Sequence, residues 1–271
     1  MENNLDQYYT KDHIVTKSIL NIETLYKNRL FYKIIEPSAG TGSFLKGISK
    51  STLKYENLEA YDIAPKYENI LEHDYLKLDI PILQDKDILV LGNPPFGRQC
   101  SIAKKFIKKS CKYANVIAFI LPRSFKKESV NKCFDLQFHL KYQEDIEPKA
   151  FIFNDLNYDV PCVFQIWERL EYDRPITAKQ TFDYKVYYFT PDQHYENIFA
   201  FKRVGCKAGL FVYDNITELS KQSHYFIYTI SKISESQKQL LNSIIWPTNN
   251  TTGPKSISKQ DLIPELNKIL K

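Results

Sequence analysis

No stretch of about 18 consecutive apolar residues occurs in this 271-residue sequence, so no segment reads as a membrane-spanning helix. The opening residues, Met1-Glu2-Asn3-Asn4-Leu5-Asp6, are polar and acidic and lack the basic-then-apolar layout of a secretion signal. Cysteines are few and unpatterned. Cys100, Cys111, Cys133, Cys162 and Cys206 form no C-x-x-C pair, have no histidines at zinc spacing, and are odd in number. That sets aside a disulfide framework and a metal site, and leaves reduced thiols in a cytoplasmic protein as the expectation. Internal repeats and low-complexity tracts are also missing. What is present, 43% hydrophobic and 14% aromatic residues, supplies a core and excludes a disordered chain.

The net charge of +5 is unevenly spread. From Arg174 to the end there are 13 Lys+Arg against 8 Asp+Glu, whereas the first 173 residues hold 24 of each. A neutral domain followed by a basic appendage fits a partner that is a polyanion.

Strand and helix signals alternate in the first half. Short β-favouring runs at 31–35, 58–61, 87–91 and 115–121 each stop at a turn or a proline, and a lysine-rich helical pattern separates the last two. Such alternation implies an α/β fold with a parallel sheet, whose ligand crevice lies beyond the carboxyl ends of the strands. In the second half, strand-like runs at 160–170, 183–189, 198–204 and 224–230 have little helix between them. Helical patterns at 235–245 and 260–270 then flank a linker at 248–254. The expected division is 1–173 for the first domain and 174–271 for a smaller β-rich appendage.

The first strand runs into Glu36-Pro37-Ser38-Ala39-Gly40-Thr41-Gly42, and a helical pattern begins at Ser43. Gly40 and Gly42 permit a tight turn and close approach of backbone to a ligand, and Asp62 stands 20 residues later at the end of the next strand, the position of a carboxylate that grips ribose hydroxyls. A third glycine is missing and a Glu precedes the loop, which suits a cationic ligand better than a pyrophosphate. Here the sequence resembles the amino-methyltransferase branch of the class I S-adenosyl-L-methionine (SAM)-dependent methyltransferases, which implies a Rossmann-like sheet and SAM as cofactor. The resemblance places Glu36, Pro37, Ala39, Gly40 and Gly42 around the methionine part of SAM, Asp62 and Ile63 at the ribose, and Asp74 with Tyr75 at the adenine. Upstream, Asp6-Gln7-Tyr8-Tyr9-Thr10 is similar to a segment that covers the cofactor in such enzymes, with Tyr8 closing over it and Thr10 at the methionine carboxylate. Lys11 stands where that segment continues with Pro.

Asn93-Pro94-Pro95-Phe96 follows directly on a buried strand. The lone pair of an aromatic amine is delocalised into its ring, so the amine is a poor nucleophile. Two acceptors on its two hydrogens, the Asn93 side-chain oxygen and the Pro94 carbonyl, draw the nitrogen toward a tetrahedral, reactive shape, and two prolines fix them in place beforehand. Phe96 offers a face on which a base can stack. The motif also resembles the signature of families that methylate adenine N6 in DNA or RNA, or a glutamine amide; all present a planar NH2 group, and Asn93 also serves the cofactor end there.

Basic residues flank this motif: Arg98 just after it, Lys104 and Lys108 in one i, i+4 row on the following helix, and Arg123 and Lys126 after the next strand. In the appendage, Lys202, Arg203 and Lys207 lie among aromatic residues. All eight are candidates for nucleic-acid contacts. The expectation is therefore adenine-N6 methylation in a nucleic acid, DNA ahead of RNA. RNA or protein-glutamine methylation and a non-catalytic SAM-binding subunit remain the alternatives, and an added protein partner or a homodimer stays open.

Overall fold

The computed structural model describes residues 8–83, 85–153, 156–176, 178–247 and 250–270. Asp6 and Gln7 of the covering segment, and residues 248 and 249 of the linker, lie outside them. Two compact units divide the chain, residues 1–175 and 176–271.

In the first unit the elements follow in the order β1 (Tyr9–Thr10), α1 (Asp12–Leu25), β2 (Leu30–Glu36), α2 (Ser43–Ser49), β3 (Lys54–Asp62), β4 (Leu71–Glu72), β5 (Ile88–Gly92), α3 (Ser101–Ser110), β6 (Val116–Pro122), α4 (Glu128–Asn131), β7 (Phe138–Asp145), β8 (Phe151–Phe153), β9 (Leu156–Tyr158) and β10 (Cys162–Arg169). Seven strands make one sheet in the order β4-β3-β2-β5-β6-β10-β7. Six point the same way, and β10 alone runs antiparallel, between β6 and β7. Helices cover both faces, so the central strands alternate between two cores: Ile34, Leu89, Leu91 and Ala118 pack with α1 and α2, while Ile35, Val90, Ile117 and Phe119 pack with α3. That is why β5 and β6 read as unbroken apolar runs and are buried at every position.

The order reverses at β2: the chain leaves it for β3 on one side and later returns to β5 on the other. A crevice forms at such a switch point beyond the carboxyl ends of the strands. Glu36 ends β2, Asp62 ends β3, Asp74 follows β4 by two residues and Asn93 follows β5 by one. Because these strands are parallel, all four residues arrive at the same edge.

Three short strands, β1-β8-β9, form a separate small sheet. Tyr9 pairs with Ile152 and Thr10 with Phe151, and the Lys11 N–H donates to the Ala150 carbonyl at 3.0 Å. The chain before α1 is thereby tied to the excursion between β7 and β10.

The second unit holds β11 (Tyr187–Thr190), β12 (Ile198–Lys202), β13 (Phe211–Val212), β14 (His224–Thr229), α5 (Glu235–Asn242) and α6 (Lys259–Ile269). Its strands form an antiparallel sheet ordered β11-β14-β12-β13. One face buries Tyr187, Phe199, Phe201 and Ile227 against Leu241, Trp246, Leu262 and Leu266 of the helical segments. Both helices start with a capping box, Ser234 with Gln237 and Ser258 with Asp261, which satisfies N–H groups that a helix start otherwise leaves open. No helix among the described residues is long and apolar enough to cross a membrane, and no group of three or more His, Cys, Asp or Glu among them is placed to hold a metal.

Candidate cofactor and catalytic site

The turn after β2 is built by hydrogen bonds rather than by side-chain packing. Ala39 N–H donates to the Tyr61 carbonyl at 2.9 Å, Gly42 N–H to the Ala39 carbonyl at 2.7 Å, and Lys66 N–H to the Gly40 carbonyl at 2.9 Å. Gly40 and Gly42 both sit in the left-handed region, at φ 52° and 74°. A Cβ on Gly42 would lie 2.5 Å from the Tyr67 ring, so the position excludes side chains twice over.

Asp62 helps to hold this loop. One carboxylate oxygen accepts from Gly40 N–H at 2.8 Å and the other from Ala64 N–H at 2.9 Å. Each oxygen keeps a lone pair for a further donor. Asp74 is similarly engaged: it caps a short 3-10 turn through the Leu76 N–H at 3.0 Å and meets Lys77 at 3.5 Å.

A cavity of about 320 Å³ opens at this edge of the sheet. Tyr8, Thr10, Glu36, Pro37, Ala39 and Gly40 line it on one side; Asp62, Ile63, Asp74, Tyr75 and Asn93 complete the set expected from the sequence. Gly42 is not on the wall; its place is in the backbone turn behind it. Of the catalytic motif, Asn93 and Pro95 reach the wall, whereas Pro94 and Phe96 do not, and Phe96 packs against the core with α1 and α2. The charged residues on the wall are Glu36, Asp62 and Asp74, and no Lys, Arg or His joins them among the described residues.

Two polar atoms at this cavity have no hydrogen-bond partner among the described residues and are shut off from solvent: Glu36 Oε2 and Asn93 Oδ1. Burial is the main reason that the Glu36 carboxyl is pushed up to about 8, and the Asp62 charge adds to it, while a backbone hydrogen bond from Leu45 pulls the other way. Asn93 is oriented by its neighbours. Its Nδ2 donates to the Tyr8 carbonyl at 3.2 Å and to Thr10 Oγ1 at 3.1 Å. A carbonyl can only accept, so the amide nitrogen must face it, and the oxygen is the end left unpaired. Ser38 Oγ donates to the Asn93 carbonyl at 3.2 Å, joining the two loops.

Several wall residues escaped the sequence reading. Ile102 and Phe106 come from α3 at i, i+4 spacing, with Leu76 from the turn after β4. Their helical periodicity was the available signal. Tyr9 packs over Gly40 at 3.1 Å from the site a Cβ would take. Tyr8 stacks on Tyr158 at 4.9 Å and lies 5.2 Å from Phe153, ring to ring. No sequence signal marked Phe153 or Tyr158, because they sit on three-residue strands.

Searches with protein-family models and among curated proteins returned no match for this chain. Solved structures show a partial likeness to it. A provisionally assigned RNA methyltransferase of Pyrococcus horikoshii is 16% identical, covers 61% of this chain and 88% of its own, and has a TM-score of 0.47. A provisionally assigned class I SAM-dependent methyltransferase of Listeria monocytogenes is 15% identical over 62% of this chain and 63% of its own, with a TM-score of 0.46. The methyltransferase subunit of a type I restriction-modification system from Streptococcus thermophilus is 15% identical over 60% and 45%, with a TM-score of 0.44. The Rossmann-like order of the sheet stands on this chain's own strands. Identities this low assign neither activity nor substrate.

The basic candidates are placed unequally. Arg98 and Lys108 are exposed and Lys104 half-buried, with no carboxylate within 4 Å of any of them among the described residues. Arg123 and Lys126 instead converge on Asp145, at 3.7 and 2.7 Å, so part of their charge is already balanced inside the fold. In the second unit Lys202 Nζ donates to Ser223 Oγ at 3.1 Å, the Arg203 guanidinium donates to the Gln222 carbonyl at 2.7 Å and lies over the Tyr225 ring, and Lys207 is exposed.

Proposed function

We propose that the protein is a SAM-dependent methyltransferase that modifies an exocyclic amine, adenine N6 of a nucleic acid, with DNA ahead of RNA. One observation carries the reading: among the described residues the cavity wall bears three carboxyl groups and no cation, and beside them the Asn93 amide oxygen has no partner. A dinucleotide pyrophosphate would meet the half-buried carboxylates of Asp62 and Asp74 there. A ligand with an amino-acid ammonium group and a sulfonium would meet its complement.

The residues present fit SAM. Glu36 suits a cationic group, Asp62 retains acceptor capacity for ribose hydroxyls, and Ile63, Leu76, Ile102 and Phe106 supply apolar wall for a flat adenine. Asp74 stands at the same end for an amine donor. Bound SAM supplies an electrophilic methyl group on sulfur. The chain's part is to place and polarise the acceptor. Asn93 Oδ1, held by the Tyr8 and Thr10 anchors of its amide nitrogen, accepts one N–H of the target amine. The Pro94 carbonyl serves the other, and the two prolines keep both acceptors from reorganising. Once the nitrogen has gained the methyl group, its remaining extra proton is acidic and passes to water, so the chain needs no general base. Tyr8, Tyr9 and Thr10 wall the cavity, and Tyr9 and Thr10 are pinned through β8. Unpaired cations at Arg98, Lys104 and Lys108, after the Asn93 loop, suit phosphates, and Lys202, Arg203 and Lys207 extend the basic character into the second unit.

Calorimetry with SAM and with NAD tests the cofactor half of this reading. SAM is expected to bind and NAD not, and Asp62→Ala should weaken SAM by about tenfold or more through loss of two acceptors and of the Gly40 contact. Equal binding of NAD, or unchanged SAM affinity in that variant, would contradict it.

A further inference from the structure

Glu36 combines features that a mere wall residue does not need. It is 1% exposed, ends the central strand at the switch point, and lines the cavity with an unpartnered Oε2. The groups facing it from each neighbouring element are acidic or neutral. Asp62 comes from the end of β3 and Asp74 from beyond β4. The end of β5 brings Gly92, where a Cβ would lie 3.4 Å from Glu36 Cγ, and then Asn93. The start of α2 brings Phe44 and a backbone contact from Leu45, and the covering strand brings Tyr8, Tyr9 and Thr10. The cations closest to this loop are turned to other partners: Lys46 lies over the Tyr67 ring and donates to the Thr41 carbonyl, and Lys66 lies over the Tyr9 ring. A second negative charge beside Asp62, buried and without a countercharge, is held off by protonation.

We propose that Glu36 is a proton-exchanging selector: the unliganded pocket holds it as the neutral acid, and a cationic ligand enters by taking the place of that proton. This rests on the reading of the cavity as a SAM site. The exchange balances simply. The carboxylic acid O–H of Glu36 breaks, its proton goes to the buffer, and the resulting carboxylate faces the incoming positive charge. At pH 7 and below, where burial keeps the acid protonated, each binding event releases close to one proton. A neutral or anionic ligand gains nothing from the exchange, so the exchange favours cationic ligands over phosphate-bearing nucleotides.

Isothermal calorimetry with SAM, at pH 6.5 in two buffers of different ionisation enthalpy, reads the proton count directly. The ligand's own α-amino group, ordinarily near 7.7–8.0, stays largely protonated there. The intact protein is expected to release about one proton and to bind about tenfold tighter at pH 7 than at pH 6. Glu36→Gln is expected to bind more weakly, with no proton released and a flat profile over the same range. In case the variant does not fold, carbon NMR of the intact protein with labelled glutamate carboxyls gives the second readout: one carboxyl titrating near 8 that ionises when SAM is added at pH 6.5. Tight SAM binding with no buffer dependence and no such carboxyl would overturn the proposal while leaving the SAM site standing. Failure of SAM to bind at any pH would overturn both.

Discussion

In the proposed mechanism, Asn93 shows how a single side chain acquires a chemical task. Its nitrogen is committed to the Tyr8 carbonyl and Thr10 Oγ1, which leaves its oxygen with no partner among the described residues. Replacement by Ala should cut methyl transfer by about 100-fold or more while SAM binding by calorimetry changes only a few-fold. Transfer at the normal rate would remove Asn93 from the mechanism. Glu36 carries a second consequence at this scale. Its carboxyl is raised in the fold, so the stability it contributes is present at low pH and is lost as pH rises from about 4.5 through 8. Thermal melts of the unliganded protein should show a falling midpoint over that window, and Glu36→Gln should flatten the fall; an identical pH profile in the variant would contradict this. These residues were legible in the sequence because each ends a recognisable strand. Their partners were not. Which atoms Asn93 would anchor to depends on Tyr8 and Thr10, more than 80 positions away, and no local pattern encodes that.

Elements show the same split. β5 and β6 were readable as strands because both faces of the sheet are covered, which demands unbroken apolar runs. β7 was missed because it lies at the edge of the sheet and carries charged, exposed residues such as Lys141 and Asp145. The β8–β9 hairpin was invisible because three-residue strands carry too little periodicity. The glycine turn was fully readable, and its conformation makes a prediction of its own. Gly42→Ala forces a side chain into the left-handed region and against Tyr67, and should cost about 1–2 kcal/mol of stability before any relaxation of the ring. Denaturant unfolding checks this, and a loss below a few tenths of a kcal/mol would mean that the loop relaxes freely.

At the scale of the whole chain, the site belongs to one unit. Every cavity-lining residue falls within 1–175, and each unit has its own buried cluster. Residues 1–175 expressed alone should therefore melt cooperatively and bind SAM with the affinity of the full chain, whereas nucleic-acid binding should weaken with loss of the basic second unit. A fragment that fails to bind SAM would show that the cavity needs the rest. In the sequence the charge changes near this division: the first 173 residues are balanced and the remainder is basic. It could not disclose the target, because a planar NH2 group is common to adenine in DNA, adenine in RNA and a glutamine amide.

The measurement that tests the central claim most directly is transfer of labelled methyl from SAM to separate pools of duplex DNA, single-stranded DNA, RNA and protein, followed by mass analysis of the modified nucleoside or residue. N6-methyladenine in a nucleic-acid pool, absent with Asn93→Ala, is the expected result. Label confined to protein glutamine, or SAM binding with no transfer to any pool, would contradict it.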